Sequence, residues 1–206
     1  MLEKALKELG MGRIVLLHDS SDREDEVDLI IHASAVTQKT IRTLRKDAGG
    51  LICLALGPQV AEHLSLPYMA DLMAKSNETV RKLIPERTAY GDKPAFSLAI
   101  NHRDTFTGIP DRDRALTISE FPKIRDGKEL AEKYYAPGHV PLLISRTLKE
   151  RRGHTELSIE LARKARLSET MVLCEMLSDD GGSLKVEDAK AYARKKGFAF
   201  VDGGEL

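Results

Sequence analysis

With 206 residues, 42% of them hydrophobic, the chain is the size of one domain and has enough apolar material for a buried core. Lys plus Arg and Asp plus Glu both number 32, so the formal net charge is zero and no global basic field draws polyanions; nucleic acid is not an expected partner. No apolar stretch approaches membrane-spanning length, and residues 1–10, with Glu3, Lys4, Lys7 and Glu8, read as an amphipathic helix and not a signal peptide, so no membrane contact is expected and the expected compartment is the cytoplasm.

Residues 13–18 (RIVLLH) and 27–33 (VDLIIHA) read as two strands around a highly charged connection. Helical spacing runs over 37–48 and stops at Gly49-Gly50, and 51–56 is a buried strand. Two short helices, each with a proline near its start, are expected at 58–64 and 67–75, then a polar irregular stretch at 76–93 and a strand at 95–101. Asp111 is placed to cap a helix that runs to Ser119 before Pro122, Asp126-Gly127 reads as a turn, and Ala136-Pro137-Gly138-His139 as a tight connection into a strand at 140–144. A loop at 151–153, a helix at 155–166, a strand at 171–177, a turn at 179–182, a helix at 186–196 and a last strand at 198–201 complete the pattern. Local strand pairs mixed with strand-helix-strand units predict an α+β fold, a mixed β-sheet with helices packed on it, as a single domain over 1–206. Cys53 and Cys174 each sit in an apolar run, which suits buried, reduced thiols better than a disulfide.

Four places carry chemistry. Between Asp19 and Asp28, six carboxylates and Arg23 crowd ten positions; such a loop either relieves its repulsion by binding a hard divalent cation or is solvated surface. Arg151-Arg152-Gly153-His154-Thr155-Glu156 stands where a helix begins, a place that suits a phosphate as well as an ordinary capped terminus. Strand alternation puts Glu175 on a face with Met171 and Leu173, where an acid needs a partner; it is a general acid or base, or a strand-end side chain reaching solvent. His139, at the start of a strand, is a proton-transfer group or a turn histidine.

Taken together, 22–28 (DREDEVD), 136–140 (APGHV), 151–156 (RRGHTE) and 172–175 (VLCE) resemble, in order and separation, the 3,4-dihydroxy-2-butanone 4-phosphate synthase family. Thr107-Gly108-Ile109 with Asp113-Arg114-Ala115 is similar to a fifth family motif. The resemblance covers almost the whole chain and implies conversion of ribulose 5-phosphate to a four-carbon phosphate and formate in a homodimer, with Mg²⁺ as the cofactor and Mn²⁺ as its alternative. By motif it implies that Glu24 and His154 ligate the metal, and that His139 and Glu175 are essential for catalysis. It further implies that Arg23, Asp28, Glu24, Glu175 and the stretch Arg151, Arg152, Gly153, His154 and Thr155 contact substrate. Asp19, Cys53 and Thr107 complete the expected substrate contacts. The chain departs from the family at Val27, where glycine is usual, so a β-branched residue restricts the backbone beside Asp28. Many relatives carry a fused GTP cyclohydrolase II domain; none is expected here, and a monofunctional enzyme is. A metal-dependent phosphosugar isomerase or aldolase, and a non-catalytic phosphosugar-binding module, remain as alternatives.

Overall fold

The computed structural model describes residues 1–86 and 90–206. Helix α1 (Leu2–Gly10) leads into strand β1 (Val15–His18), which pairs antiparallel with β2 (Val27–His32) across the acidic loop. Helix α2 (Gln38–Thr43) continues as a π-turn over Leu44–Ala48, and Gly49, at φ 94°, ends it in the left-handed region where glycine is favoured. Strand β3 (Cys53–Leu56) follows, then short helices α3 (Pro58–His63), α4 (Met69–Ala74) and α5 (Glu78–Lys82). Strand β4 (Phe96–His102), helices α6 (Asp111–Glu120) and α7 (Gly127–Lys133), and strand β5 (Tyr134–Ile144) form the next unit. Helix α8 (His154–Lys164), strand β6 (Thr170–Glu175), helix α9 (Val186–Lys196) and strand β7 (Ala199–Asp202) complete it.

The strands form one mixed sheet in the order β4-β5-β3-β6-β2-β1-β7. Side-chain alternation divides its core in two. On one face Leu29, Leu54, Val172 and Cys174 pack with Ile41, Leu44 and Ile118 from α2 and α6; on the other Ile30, Cys53, Met171 and Leu173 pack with Leu9 of α1 and Leu157 and Leu161 of α8. The expected α+β sheet with helices on it is therefore the observed architecture.

Local departures have local causes. The turn expected at Asp126-Gly127 is the start of α7, because the Asp126 side chain accepts the Glu129 N–H and caps the helix. Asn77 does the same for α5 through the Val80 N–H, inside the stretch expected to be irregular. Residues 136–139, expected as a tight connection, are the middle of β5, which passes through a cis Ala136-Pro137 bond. Asp111 is the first residue of α6 and not its cap, a position that Pro110 takes, and α8 begins at His154 with Gly153 as its cap residue. Val27 is fully buried in extended backbone and packs on the α2 side of the sheet, so its branched side chain suits β2 and leaves Asp28 facing α8.

Candidate active site

Three neighbouring strands bring polar side chains to the α8 face of the sheet. Asp28 on β2 and Glu175 on β6 are direct partners across the antiparallel ladder, and Cys53 on β3 is paired with Leu173, two residues before Glu175. The first turn of α8 lies above them with His154, Thr155 and Glu156 buried. Except for Glu156, these residues, with Glu24, Arg151, Leu143 and the segment Lys93–Phe96, line a cavity of about 390 Å³. A second hollow of about 440 Å³ shares Arg151 with it and is walled by Asp19, Arg23, Tyr90, Asp92 and Arg152.

Asp28 is the unusual group. It is 1% exposed, and neither carboxylate oxygen has a hydrogen-bond partner among the described residues. Burial pushes its pKa up to about 7, with the neighbouring His154 pulling the other way. A buried carboxylate of this kind is costly unless a cation or a donor meets it.

His154 meets that need in part. Its Nε2 lies 3.0 Å from the Glu26 carbonyl, a bond in which the ring must donate, and 3.7 Å from Asp28. Its Nδ1 is 3.5 Å from Glu24. Burial opposes charge on the imidazole, but Asp28 and the bond to Glu24 outweigh it and push the pKa up to about 9. The same bond, against burial, holds Glu24 below the usual carboxylate range. Ligand atoms of Asp19, Glu24 and His154 all lie within 4.8 Å of one another, a donor set suited to a hard divalent cation. A ring nitrogen tied to a backbone carbonyl, with the other nitrogen turned to a carboxylate, is the usual posture of a metal-binding histidine.

Asp19 also has a structural task. Its carboxylate accepts the backbone N–H groups of Glu24 and Glu26 at 3.1 and 3.2 Å, which folds the acidic loop back on itself. Arg23 lies 2.7 Å from Glu24, 3.3 Å from Asp19 and 3.3 Å from Asp92, so the loop's charge is shared out inside the site. Sequence patterns gave no hint of Asp92, which comes from the stretch expected to be irregular and also binds Arg151 Nε at 2.6 Å. Arg151 pairs with the buried Glu156 as well. Gly153 permits this packing, since a Cβ there would lie 2.4 Å from Arg151 Nη1. Among the described residues no side chain caps the first turn of α8, whose N–H groups remain a place for an anion. Arg152 turns away and donates to the Gly203 carbonyl at 3.0 Å.

Glu175 finds its expected partner in the backbone: the Leu51 N–H donates to its carboxylate at 2.8 Å, and a Cβ at Gly50 would come within 2.4 Å of the same oxygen. Both cysteines are free and buried, and burial pushes each thiol up, Cys174 to about 12. Neither is poised as a nucleophile.

Two expected site residues lie elsewhere on this chain. His139 is exposed on β5, four residues from the cavity-lining Leu143, roughly 13 Å along the strand. Thr107 is exposed in the loop between β4 and α6, where its N–H donates to Asp113.

Residues 3–206 match the family model for 3,4-dihydroxy-2-butanone 4-phosphate synthase. The chain is 44% identical to the synthase of Methanothermobacter thermautotrophicus, over 100% of this chain and 94% of that one. It is 42% identical to the synthase of Methanosarcina acetivorans, over 100% and 89%. A crystal structure of a 3,4-dihydroxy-2-butanone 4-phosphate synthase in complex with two magnesium ions superposes with a TM-score of 0.82 at 26% identity, covering 98% of this chain and 93% of that one. The chain therefore belongs to the 3,4-dihydroxy-2-butanone 4-phosphate synthase family, lyases of riboflavin biosynthesis.

Proposed function

We propose that the chain converts D-ribulose 5-phosphate to L-3,4-dihydroxy-2-butanone 4-phosphate and formate, with Mg²⁺ or Mn²⁺, as a cytoplasmic homodimer. The observation that carries this reading is the buried Asp28, without a hydrogen-bond partner among the described residues, beside Glu24, His154 and Glu175 in one cavity of a chain from this family. Glu24 and His154 would hold the metal, with Asp19 the third candidate donor. Ribulose 5-phosphate has a C2 carbonyl that acidifies the C3 proton, and a bound divalent cation would polarise that carbonyl and stabilise the charge that develops.

The chain's own groups supply the rest. Arg151 and the uncapped first turn of α8 are suited to the phosphate, Arg23 and Asp28 to the sugar oxygens, and Thr155 and Cys53 to the cavity wall. Glu175, steadied by the Leu51 N–H, is placed to move a proton at a substrate carbon on the sheet side. The rearrangement needs a second proton-transfer group, for which we assign His139. Its distance from its own chain's cavity favours a dimer in which each cavity receives His139, with Thr107 beside it, from the second copy. Exposed Phe106 and Ile109 flank the same loop and offer that contact an apolar surface.

Incubation with ribulose 5-phosphate and Mg²⁺, with and without EDTA, tests the reading. Formate and the four-carbon phosphate in equal amounts, lost with EDTA, are the expected result. A five-carbon product would indicate an isomerase, and binding without turnover a non-catalytic module.

A further inference from the structure

Two sequence motifs outside the cavity, 136–140 and the one that joins Thr107-Gly108-Ile109 to Asp113, converge on one buried amide. Asn101, on β4, is 1% exposed. Its Oδ1 accepts the backbone N–H of His139 at 2.8 Å, while its Nδ2 lies 2.9 Å from the Tyr135 hydroxyl and 3.1 Å from His139 Nδ1. The two glycines nearby serve this contact. A Cβ at Gly138 would lie 2.1 Å from the Ile100 carbonyl carbon, so only glycine lets β5 approach Asn101 this closely. A Cβ at Gly108, which sits at φ +88°, would lie 2.1 Å from Asn101 Nδ2. The Gly108 loop is itself fixed by Asp113, whose carboxylate accepts the N–H groups of Phe106, Thr107 and Gly108 at 3.0 to 3.2 Å.

The hydrogen-bond logic has one solution. The His139 backbone N–H can only donate, so the amide atom facing it must be the oxygen, and the NH₂ must face Tyr135 and the imidazole. Amide NH₂ groups only donate, so His139 Nδ1 must accept. In the neutral ring the proton then resides on Nε2, which has no partner among the described residues.

We propose that Asn101 is a positioning residue that holds neutral His139 in its Nε2–H tautomer and so makes it a proton donor towards substrate. The functional half of this statement rests on the proton-transfer role assigned to His139; the tautomer half does not, and the two are measured separately. Asn101→Asp is the informative change, because it is isosteric, still accepts the His139 main-chain N–H, and lets the Tyr135 hydroxyl turn to donate. It reverses the two bonds that the amide NH₂ donated, to Tyr135 and to the ring, and only at the ring does the reversal move a proton from one nitrogen to the other.

The test is long-range ¹H–¹⁵N NMR of the ring nitrogens above the pH at which the ring titrates, with His139 assigned by its loss in His139→Gln. The wild-type ring should give the Nε2–H pattern and Asn101→Asp the Nδ1–H pattern. A wild-type Nδ1–H pattern, or no change in Asn101→Asp, overturns the proposal. Gly108→Ala, which displaces the amide without altering its chemistry, should leave a mixture of both tautomers; an unchanged Nε2–H pattern there also counts against it. With ribulose 5-phosphate, Asn101→Asp should lower kcat on the order of a hundredfold with KM nearly unchanged. A reversed tautomer with unchanged kcat overturns the donor role, whereas a wild-type enzyme that does not turn over this substrate would fault the substrate assignment and leave the NMR result standing.

Discussion

Glu175 illustrates how a single side chain is placed by its neighbours' lack of one. Its carboxylate takes the Leu51 N–H, and its main-chain carbonyl takes the Gly50 N–H at 3.0 Å. Both contacts require that nothing project from residue 50, where a Cβ would meet the carboxylate at 2.4 Å and the carbonyl oxygen at 2.6 Å. The carboxylate can swing away, but the strand cannot move without disturbing the β3–β6 ladder. Gly50→Ala should therefore turn Glu175 out of the cavity and lower kcat on the order of a hundredfold, the usual effect of a misplacement near 1 Å. Mg²⁺ affinity, measured by calorimetry, should stay unchanged, because Glu24 and His154 lie on other elements. A parallel loss of metal binding would place Glu175 closer to the cation than proposed.

Helix α7 carries a prediction at the scale of elements. Glu129 lies in its first turn, 2.8 Å from Lys133 and 3.0 Å from Arg125 Nε, and accepts the Arg125 N–H at 2.9 Å. Lys133 first, then Arg125, hold its carboxyl down to about 2 from an ordinary 4.5. A carboxyl depressed in the folded state stabilises above its unfolded pKa and loses that contribution as pH falls through the folded value. The Tm difference between wild type and Glu129→Gln should then be constant above pH 4.5 and vanish towards pH 2. The difference should be small, since Arg125 is exposed and water screens the pair. A difference that persists at the acid end would assign the effect to helix propensity instead.

The same helix marks where the sequence is hard to read. Asp-Gly is a turn signal, and only the following residues, Lys128 to Lys133, reveal that Asp126 begins a helix. Pro137-Gly138 misleads in the same way, because the need for glycine comes from the closeness of Ile100, which is contributed by another strand. By contrast, strands β1, β2, β3 and β6 and helices α8 and α9 are legible from periodicity and from their glycine boundaries, and alternation alone puts Glu175 on the correct face. Within the site, the acidic loop and the start of α8 are visible as charge and motif. Asp92 is not, since its partners Arg23 and Arg151 are 69 and 59 residues away and no local pattern links them. Asp28 is visible as a residue, but its burial without a hydrogen-bond partner among the described residues depends on the register of three strands.

For the whole molecule, the position of His139 makes the assembly testable. If each cavity uses Glu175 of one chain and His139 of the other, neither His139→Gln nor Glu175→Gln alone has an intact cavity. Mixed and allowed to exchange subunits, half of the dimers carry both variants, and in each of these one cavity pairs a native Glu175 with a native His139. Activity should then return to about a quarter of the wild-type value per chain. If both residues act within one chain, every cavity in every mixed dimer retains a defect and the mixture stays inactive. Phe106, 87% exposed beside Gly108, supplies the control. In a dimer that buries Phe106 in its symmetric contact, Phe106→Glu would remove about 1.5–3 kcal/mol of apolar burial from each half and should weaken dimerisation by at least about a hundredfold in analytical ultracentrifugation. Introduced into both variants, it should prevent their rescue at concentrations where the parent mixture is active, because a cavity that borrows His139 cannot be completed by a lone chain.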